Sequence, residues 1–226
     1  MSLTPPASRS RLGIVTIGQA PRPDLVEAFG AAAGDAEIRV AGALDGVATA
    51  DLAALTVPGS YPLLVRLADG TTIEVPRDRL VPRVEVAASV LAADGARVVV
   101  VACAGEFPPV PCTVPVLLPG RLVPAAIGAL AAGRRVGVVT PNAAQVRWAE
   151  AKWRADGFDV VVTHAAPGRR DAIAAAGDAL LGHDLRLVVL DCMGHAEAER
   201  AELETRCGVP VVAVQTLVAR LAAAML

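Results

Sequence analysis

Two stretches, Val98-Val99-Val100-Val101-Ala102-Cys103-Ala104-Gly105-Glu106 and Leu187-Val188-Val189-Leu190-Asp191-Cys192-Met193-Gly194-His195, follow one pattern. Four aliphatic residues lead to a spacer, a cysteine, a variable residue, a glycine and a group that can carry a proton. A short aliphatic run stopped by small residues reads as a buried strand of a parallel sheet. A cysteine just past such a strand lies at its carboxyl end, where open α/β sheets bind ligands. Two copies direct two thiols, one from each half of the chain, toward one crevice.

A second repeat supports the first. Gly13-Ile14-Val15-Thr16 opens one half, and Gly137-Val138-Val139-Thr140 opens the other. The opening glycine precedes Cys103 by 90 residues and Cys192 by 55, so the first half carries 35 extra residues. Ala68-Asp69-Gly70 between two β-rich runs is a strong hairpin signal, which places an inserted hairpin near 55–86. Strands are predicted over 13–17, 37–42, 97–102, 114–118, 135–140, 158–164, 186–191 and 210–213, with the hairpin over 62–75. Helices are predicted over 23–33, 79–94, 121–132, 143–156, 170–182, 196–206 and 215–225. Alternation of this kind implies parallel sheets with right-handed crossovers. The expected fold class is α/β, with two pseudo-symmetric lobes, each a mostly parallel sheet flanked by helices. The lobes are expected over 1–118 plus 214–226, and over 119–213.

Composition limits the function classes. The 226 residues are 54% hydrophobic and only 3% aromatic, which predicts a core of alanine, valine and leucine. No apolar stretch reaches the ~18 residues that span a bilayer. Residues 1–11 read as a loose tail without a secretory hydrophobic segment. Four cysteines without a signal peptide point to a reducing, cytoplasmic setting. A net charge of −2 with no basic stripe argues against nucleic-acid binding. The single lysine, Lys152, lies in an amphipathic helical stretch between Trp148 and Trp153 and is a poor Schiff-base candidate. No phosphate-binding G-x-x-x-x-G-K or G-x-G-x-x-G motif is present, so a nicotinamide or ATP enzyme is not expected. His164, His183 and His195 show no metal-ligand spacing, so no metal is expected.

The candidate catalytic residues are Cys103, Cys192, Glu106 and His195. Placement of Cys192 directly before a helix predicts a lowered thiol pKa. Glu106 and His195, three residues past their cysteines, are expected to reach the same slot and exchange protons there. Gly105 and Gly194 allow backbone to approach a ligand closely. Gly18, Gln19 and Arg22, in the loop after the first strand, are expected to bind a carboxylate, sulfate or phosphate. Thr140 and Asn142, with Gln145, occupy the equivalent place in the second half. Cys112 and Cys207 lack repeat partners and read as structural.

Thr16-Ile17-Gly18-Gln19-Ala20-Pro21-Arg22, Cys103-Ala104-Gly105-Glu106-Phe107 and Leu190-Asp191-Cys192-Met193-Gly194 resemble the signature stretches of the AroM family. That family is in turn similar to the aspartate/glutamate/hydantoin racemase superfamily. The resemblance implies two α/β lobes, no cofactor, and Cys103 and Cys192 as the two catalytic thiols. Ala104-Gly105 and Met193-Gly194 stand where amino-acid racemases carry Asn-Thr and Thr. The expected function is a cofactor-independent isomerase or racemase acting on a small carboxylic acid by two-cysteine proton transfer. A single-thiol lyase or decarboxylase uses the same residues. The alternative is a non-catalytic carboxylate-binding or regulatory protein on that scaffold. Two thiols acting on one carbon would stand roughly 6–8 Å apart, twice the near-attack distance. Expected partners are a small carboxylic acid and, compatibly with the sequence, a second copy of the chain in a homo-oligomer. Neither nucleic acid nor membrane is expected.

Overall fold

The computed structural model describes residues 9–56 and 61–226. In the first half, β1 (Arg11–Thr16), α1 (Pro23–Ala33), β2 (Glu37–Gly42) and α2 (Thr49–Leu55) precede a hairpin of β3 (Pro62–Arg66) and β4 (Thr72–Pro76). Next come α3 (Arg77–Ala93), β5 (Val98–Val101) and β6 (Val116–Leu117). The second half opens with α4 (Pro119–Ala131), β7 (Val136–Thr140), a 3-10 turn (Ala143–Gln145), α5 (Val146–Ala155) and β8 (Val160–His164). It continues through α6 (Arg170–Leu180), β9 (Leu187–Leu190), α7 (Glu197–Cys207), β10 (Val211–Ala213) and α8 (Val214–Ala223).

The structure departs from the sequence expectations in small ways. The loose tail ends earlier than expected, because Arg11 already belongs to β1 and its guanidinium pairs with Glu37 at 2.8 Å. Residues 1–8 of that tail, and 57–60 of the expected insert, lie outside the described residues. The short α2 has no long apolar period to announce it. The single helix expected over 143–156 opens instead as a 3-10 turn, where Asn142 Oδ1 accepts the Gln145 N–H at 3.0 Å.

The duplication is visible in the sheets. One has the order β2-β1-β5-β6, and the other, read from its far edge, β8-β7-β9-β10. Every pairing within both is parallel. The order in which strands are added along the sheet reverses between β1 and β5, and again between β7 and β9. These are the switch points at which such sheets hold ligands. Cys103 follows β5 and Cys192 follows β9, so each thiol loop leaves its own sheet beside a switch point.

Side-chain alternation builds the core. Val98, Val100, Ala102 and Ala104 face a central cluster, while Val99, Val101 and Cys103 face an outer one that includes Leu63, Val65 and Val75 of the hairpin. Leu12 and Ile14 of β1, Val136 and Val138 of β7, Leu187 and Val189 of β9 and Trp153 of α5 complete the same central cluster. Helix α8 returns to pack along α1 and adds Val214 and Val218 to that core. Among the described residues, no helix is long and apolar enough to cross a membrane.

The hairpin docks on the loop after β1. The Gln19 N–H donates to the Arg66 carbonyl at 3.1 Å, and the Ala68 N–H donates to Gln19 Oε1 at 3.0 Å. Gly18 permits this crossing, because a Cβ there would overlap the Arg66 carbonyl oxygen. Gly18→Ala should therefore destabilise the fold by about 1–3 kcal/mol, the usual cost of overpacking. Gly30→Ala on α1 meets only Ile38 Cδ1 at 3.6 Å and should be neutral or stabilising through helix propensity. Urea unfolding of the two variants tests the contrast.

Candidate active site

The two thiol loops open onto one cavity of about 480 Å³, lined by Cys103, Gly105, Thr140, Cys192, Gly194 and Arg22 among others. All four cysteines are free. The C-x-G pattern has a local physical use. The Gly105 N–H donates to Cys103 Sγ at 3.3 Å, and the Gly194 N–H stands to Cys192 in the same relation. Gly105 also lets the hairpin close over the site, since a Cβ there would lie 2.7 Å from Leu63 Cδ2.

Both thiols are made less acidic by their surroundings. Burial pushes Cys103 up to about 12, against the pull of the Gly105 N–H, and the charge of Cys192 adds to the rise. Burial likewise pushes Cys192 up to about 11, although the Gly194 N–H and Arg22 favour its anion. At each sulfur, loss of hydration outweighs the neighbouring groups that favour the anion. The lowered pKa expected for Cys192 is corrected by the helix position. Helix α7 begins only at Glu197, and the Ala196 N–H at its start is occupied by Glu199 Oε2 at 2.8 Å.

Several expected site residues lie elsewhere. Glu106 does not line the cavity: it is exposed in a groove on another face, 3.9 Å from Arg77. Equal spacing from the cysteine fixes path length, not direction, and Pro108 and Pro109 carry that loop outward. His195 turns inward and is fully buried, outside the cavity lining. Its Nδ1 lies 3.3 Å from Glu199 Oε1, an ion-pair approach whose angle is poor for a hydrogen bond. Burial pushes the Glu199 carboxyl up, but His195 and the Ala196 and Gly168 N–H groups together hold it below the usual range.

The loop after β1 is also used structurally. Gln19 Nε2 donates to the Leu44 carbonyl at 3.2 Å while its Oε1 holds the hairpin, so its amide serves docking. Gly18 meets Arg66 backbone and does not line the cavity. Arg22 does line it, but its fork grips Asp24 at 2.8 and 2.6 Å, and its Nη1 reaches Thr16 Oγ1 at 3.1 Å. In the second half, Thr140 lines the cavity and donates to the Asn142 carbonyl at 3.0 Å. Asn142 itself is a cap outside the cavity lining. Gln145 lines it and donates to the Pro62 carbonyl at 3.3 Å, joining the second half to the hairpin.

Sequence reasoning passes over Asp191, Lys152, Tyr61 and Arg66. The buried Asp191 carboxylate lines the cavity and accepts Trp153 Nε1–H at 2.8 Å and the Lys152 ammonium at 3.3 Å. An acid ending an otherwise apolar strand is the available signal, since such a group must be paired. Tyr61 packs edge-on to Trp148 at 5.6 Å, and burial, then Asp191 and the cysteines, push its phenol up. Arg66 reaches the cavity from the hairpin, half exposed, with its nearest acid, Asp24, 3.9 Å away. Among the described residues, no group of three or more His, Cys, Asp or Glu is placed to hold a metal ion.

The sequence profile of the family described as AroM protein matches residues 12–226. The chain belongs to the AroM family. No curated protein matches it in sequence. Its fold is similar to that of unliganded arylmalonate decarboxylase, with 18% identity, 96% of this chain and 92% of that one covered, and a TM-score of 0.61. Allantoin racemase from Klebsiella pneumoniae is similar at 16% identity, 96% and 87% coverage and a TM-score of 0.61. The maleate isomerase Iso from Pseudomonas putida S16 is similar at 13% identity, 94% and 90% coverage and a TM-score of 0.58. With glutamate and aspartate racemases also among the structural neighbours, the AroM chain has the fold of the aspartate/glutamate racemase superfamily.

Burial raises both thiol pKa values, so their thiolate fractions at pH 8 should lie well below that of a free cysteine. Alkylation of Cys103 and Cys192 by iodoacetamide should rise about tenfold per pH unit from 7 to 10, without a plateau. Peptide mass spectrometry resolves each site, and a plateau below pH 9 contradicts the assigned environment.

Proposed function

We propose that this AroM-family chain is a cofactor-independent isomerase or racemase that moves a proton on a small carboxylic acid. The observation that carries the reading is the arrival of two thiols, from equivalent positions of two duplicated sheets, at one cavity. A Cys103 or Cys192 thiolate takes the proton from the carbon beside the carboxylate and becomes a thiol. The electron pair left on carbon delocalises into the carboxylate. The opposite thiol then gives its proton to the other face and becomes the thiolate. Protons and charge balance, with the two sulfurs exchanging roles. A strongly basic thiolate suits a weak carbon acid, because proton-transfer efficiency depends on the match of base to acid. The names of the structural neighbours, which include racemases, an isomerase and a decarboxylase, support chemistry of this class.

The carboxylate contact falls to Arg66. Arg22 is engaged by Asp24, whose carboxyl burial pushes up but Arg22 and Arg66 hold low. Arg66 lines the same cavity with a looser hold on Asp24, 3.9 Å away, than the 2.6 Å contact of Arg22. Arg66→Ala should weaken binding of small mono- and dicarboxylates about tenfold or more, the loss of one charge-assisted hydrogen bond. Arg22→Ala should chiefly lower stability, by removing the two bonds to Asp24 and the one to Thr16. Calorimetric titration and thermal melts separate the two effects.

A second reading has one observation in its favour. Both thiols are pushed up, and neither Glu106 nor His195 stands beside them to take a proton. That arrangement also suits a carboxylate-binding or regulatory protein on this scaffold. Solvent deuterium exchange at the α-carbon of a panel of hydroxy-, amino- and dicarboxylic acids decides between them. Cys103→Ala and Cys192→Ala should each abolish exchange on one stereochemical face. Binding without exchange, or exchange that survives both substitutions, would sink the two-thiol mechanism.

A further inference from the structure

Lys152 is the single lysine of the chain, and its side chain is only 12% exposed. It belongs to α5, yet its ammonium donates to the Ala104 carbonyl at 3.0 Å and to Asp191 Oδ2 at 3.3 Å. Ala104 comes directly after Cys103, and Asp191 directly before Cys192. One cation thus touches both thiol loops, which leave separate sheets. Strand alternation produces the convergence. Ala104 continues the inward face of Val98 and Val100, and Asp191 follows Val189 in the same alternation, so both neighbours of the cysteines turn toward the space between the sheets and border the cavity that the thiols line. Trp153 Nε1–H completes the cluster on Asp191 at 2.8 Å, and the Lys152 ammonium lies 5.4 Å from that indole ring.

Burying an ammonium and a carboxylate here is expensive compared with apolar residues of similar size. As simple packing, the pair is a poor choice. What it supplies is a reach to two acceptors at once, one in each thiol loop, and a positive charge that acts on Cys103.

We propose that Lys152 is a positioning residue for the thiol site: it ties the carbonyl beside Cys103 to the carboxylate beside Cys192 and neutralises that carboxylate. The role rests on the reading of the two cysteines as reacting groups, but thiol reactivity tests it independently of turnover. The groups that face Cys103 are Cys192, Lys152, Asp191 and Tyr61. Those facing Cys192 are Asp191, Arg22, Glu199, Cys103 and Tyr61. Lys152 is faced by Asp191 on one side and by Glu106, Arg121 and Asp156 around the outer groove. Of these, Lys152 favours the Cys103 anion and Asp191 opposes it.

The experiment tracks iodoacetamide alkylation of Cys103 against pH, by peptide mass spectrometry on the full chain. Lys152→Met should slow Cys103 alkylation about tenfold at pH 8, equivalent to one unit of upward displacement of the profile. Lys152→Arg, which keeps the charge, should stay within about twofold of the parent. Lys152→Met combined with Asp191→Asn should recover most of the loss, because both charges are then gone. A merely structural lysine would leave the Cys103 profile of folded Lys152→Met where the parent's lies. Circular dichroism checks folding; should Lys152→Met not fold, Asp191→Asn alone should speed Cys103 alkylation severalfold. An unchanged or faster Cys103 profile in folded Lys152→Met overturns the proposal. So does a double variant as slow as the single one, or an Asp191→Asn profile that coincides with the parent. If the parent shows no deuterium exchange while Lys152→Met still displaces the profile, the catalytic reading fails and the positioning role stands.

Discussion

One shared apolar core holds the two halves together, and the site depends on it. Inward side chains of β1 and β5 from one sheet meet those of β7 and β9 from the other in a single cluster, with Trp153 and α8 among them. Each fully buried aliphatic side chain contributes roughly 1.5–3 kcal/mol relative to exposure. Neither sheet can therefore withdraw from the other without exposing several such residues. The carboxyl ends of β5 and β9 are consequently held over a common space, and the loops that leave those ends must share it. The duplication of sequence becomes a shared cavity only through that burial.

The same core sets a cost for the chemistry. An interior dry enough to fix geometry disfavours charge, and burial outweighs the glycine N–H groups that favour each thiolate. The Asp191–Lys152 pair shows how the fold accommodates charges it cannot avoid. The carboxylate is hydrogen-bonded by an indole and an ammonium, which satisfies the rule that buried ions are paired. Its partner reaches across the gap between the halves, so the electrostatic need and the mechanical one are met by a single side chain.

Much of this is legible in the sequence. The strand-cysteine-glycine repeat marks both switch points, and the Asp-Gly turn marks the hairpin, which pairs Leu64 with Glu74 and Arg66 with Thr72. What the repeat cannot convey is direction beyond the strand ends. Glu106 and His195 stand at one spacing, yet one is carried to the surface and the other sinks against Glu199. Gln19 and Asn142 have the right chemistry for a ligand but are claimed by nearer backbone groups. Asn142 is satisfied locally as a cap, as short polar side chains often are, whereas Gln19 is claimed by Leu44 and Ala68, which only the tertiary fold brings near. Lys152 escapes a reading of the sequence for the opposite reason. An amphipathic helix ordinarily turns its lysine to water, and only the tertiary contact of α5 with the thiol loops reverses that.

The hairpin breaks the symmetry that the duplication builds. Only the first half carries it, so Cys103 lies under Leu63 and Tyr61, whereas Cys192 lies near Arg22, Gly194 and Pro167. Two bases in identical surroundings would accept either face of a substrate equally. Arg66 stands on the hairpin side of the cavity and Arg22 acts on Cys192, so the two ends are unlike. On the proposed reading, a ligand whose carboxylate is held at the Arg66 end would present one face to each sulfur. Pseudo-symmetry supplies the pair of thiols, and the inserted hairpin, docked through Gly18 and Gln19 and tied across by Gln145, gives the pair an orientation.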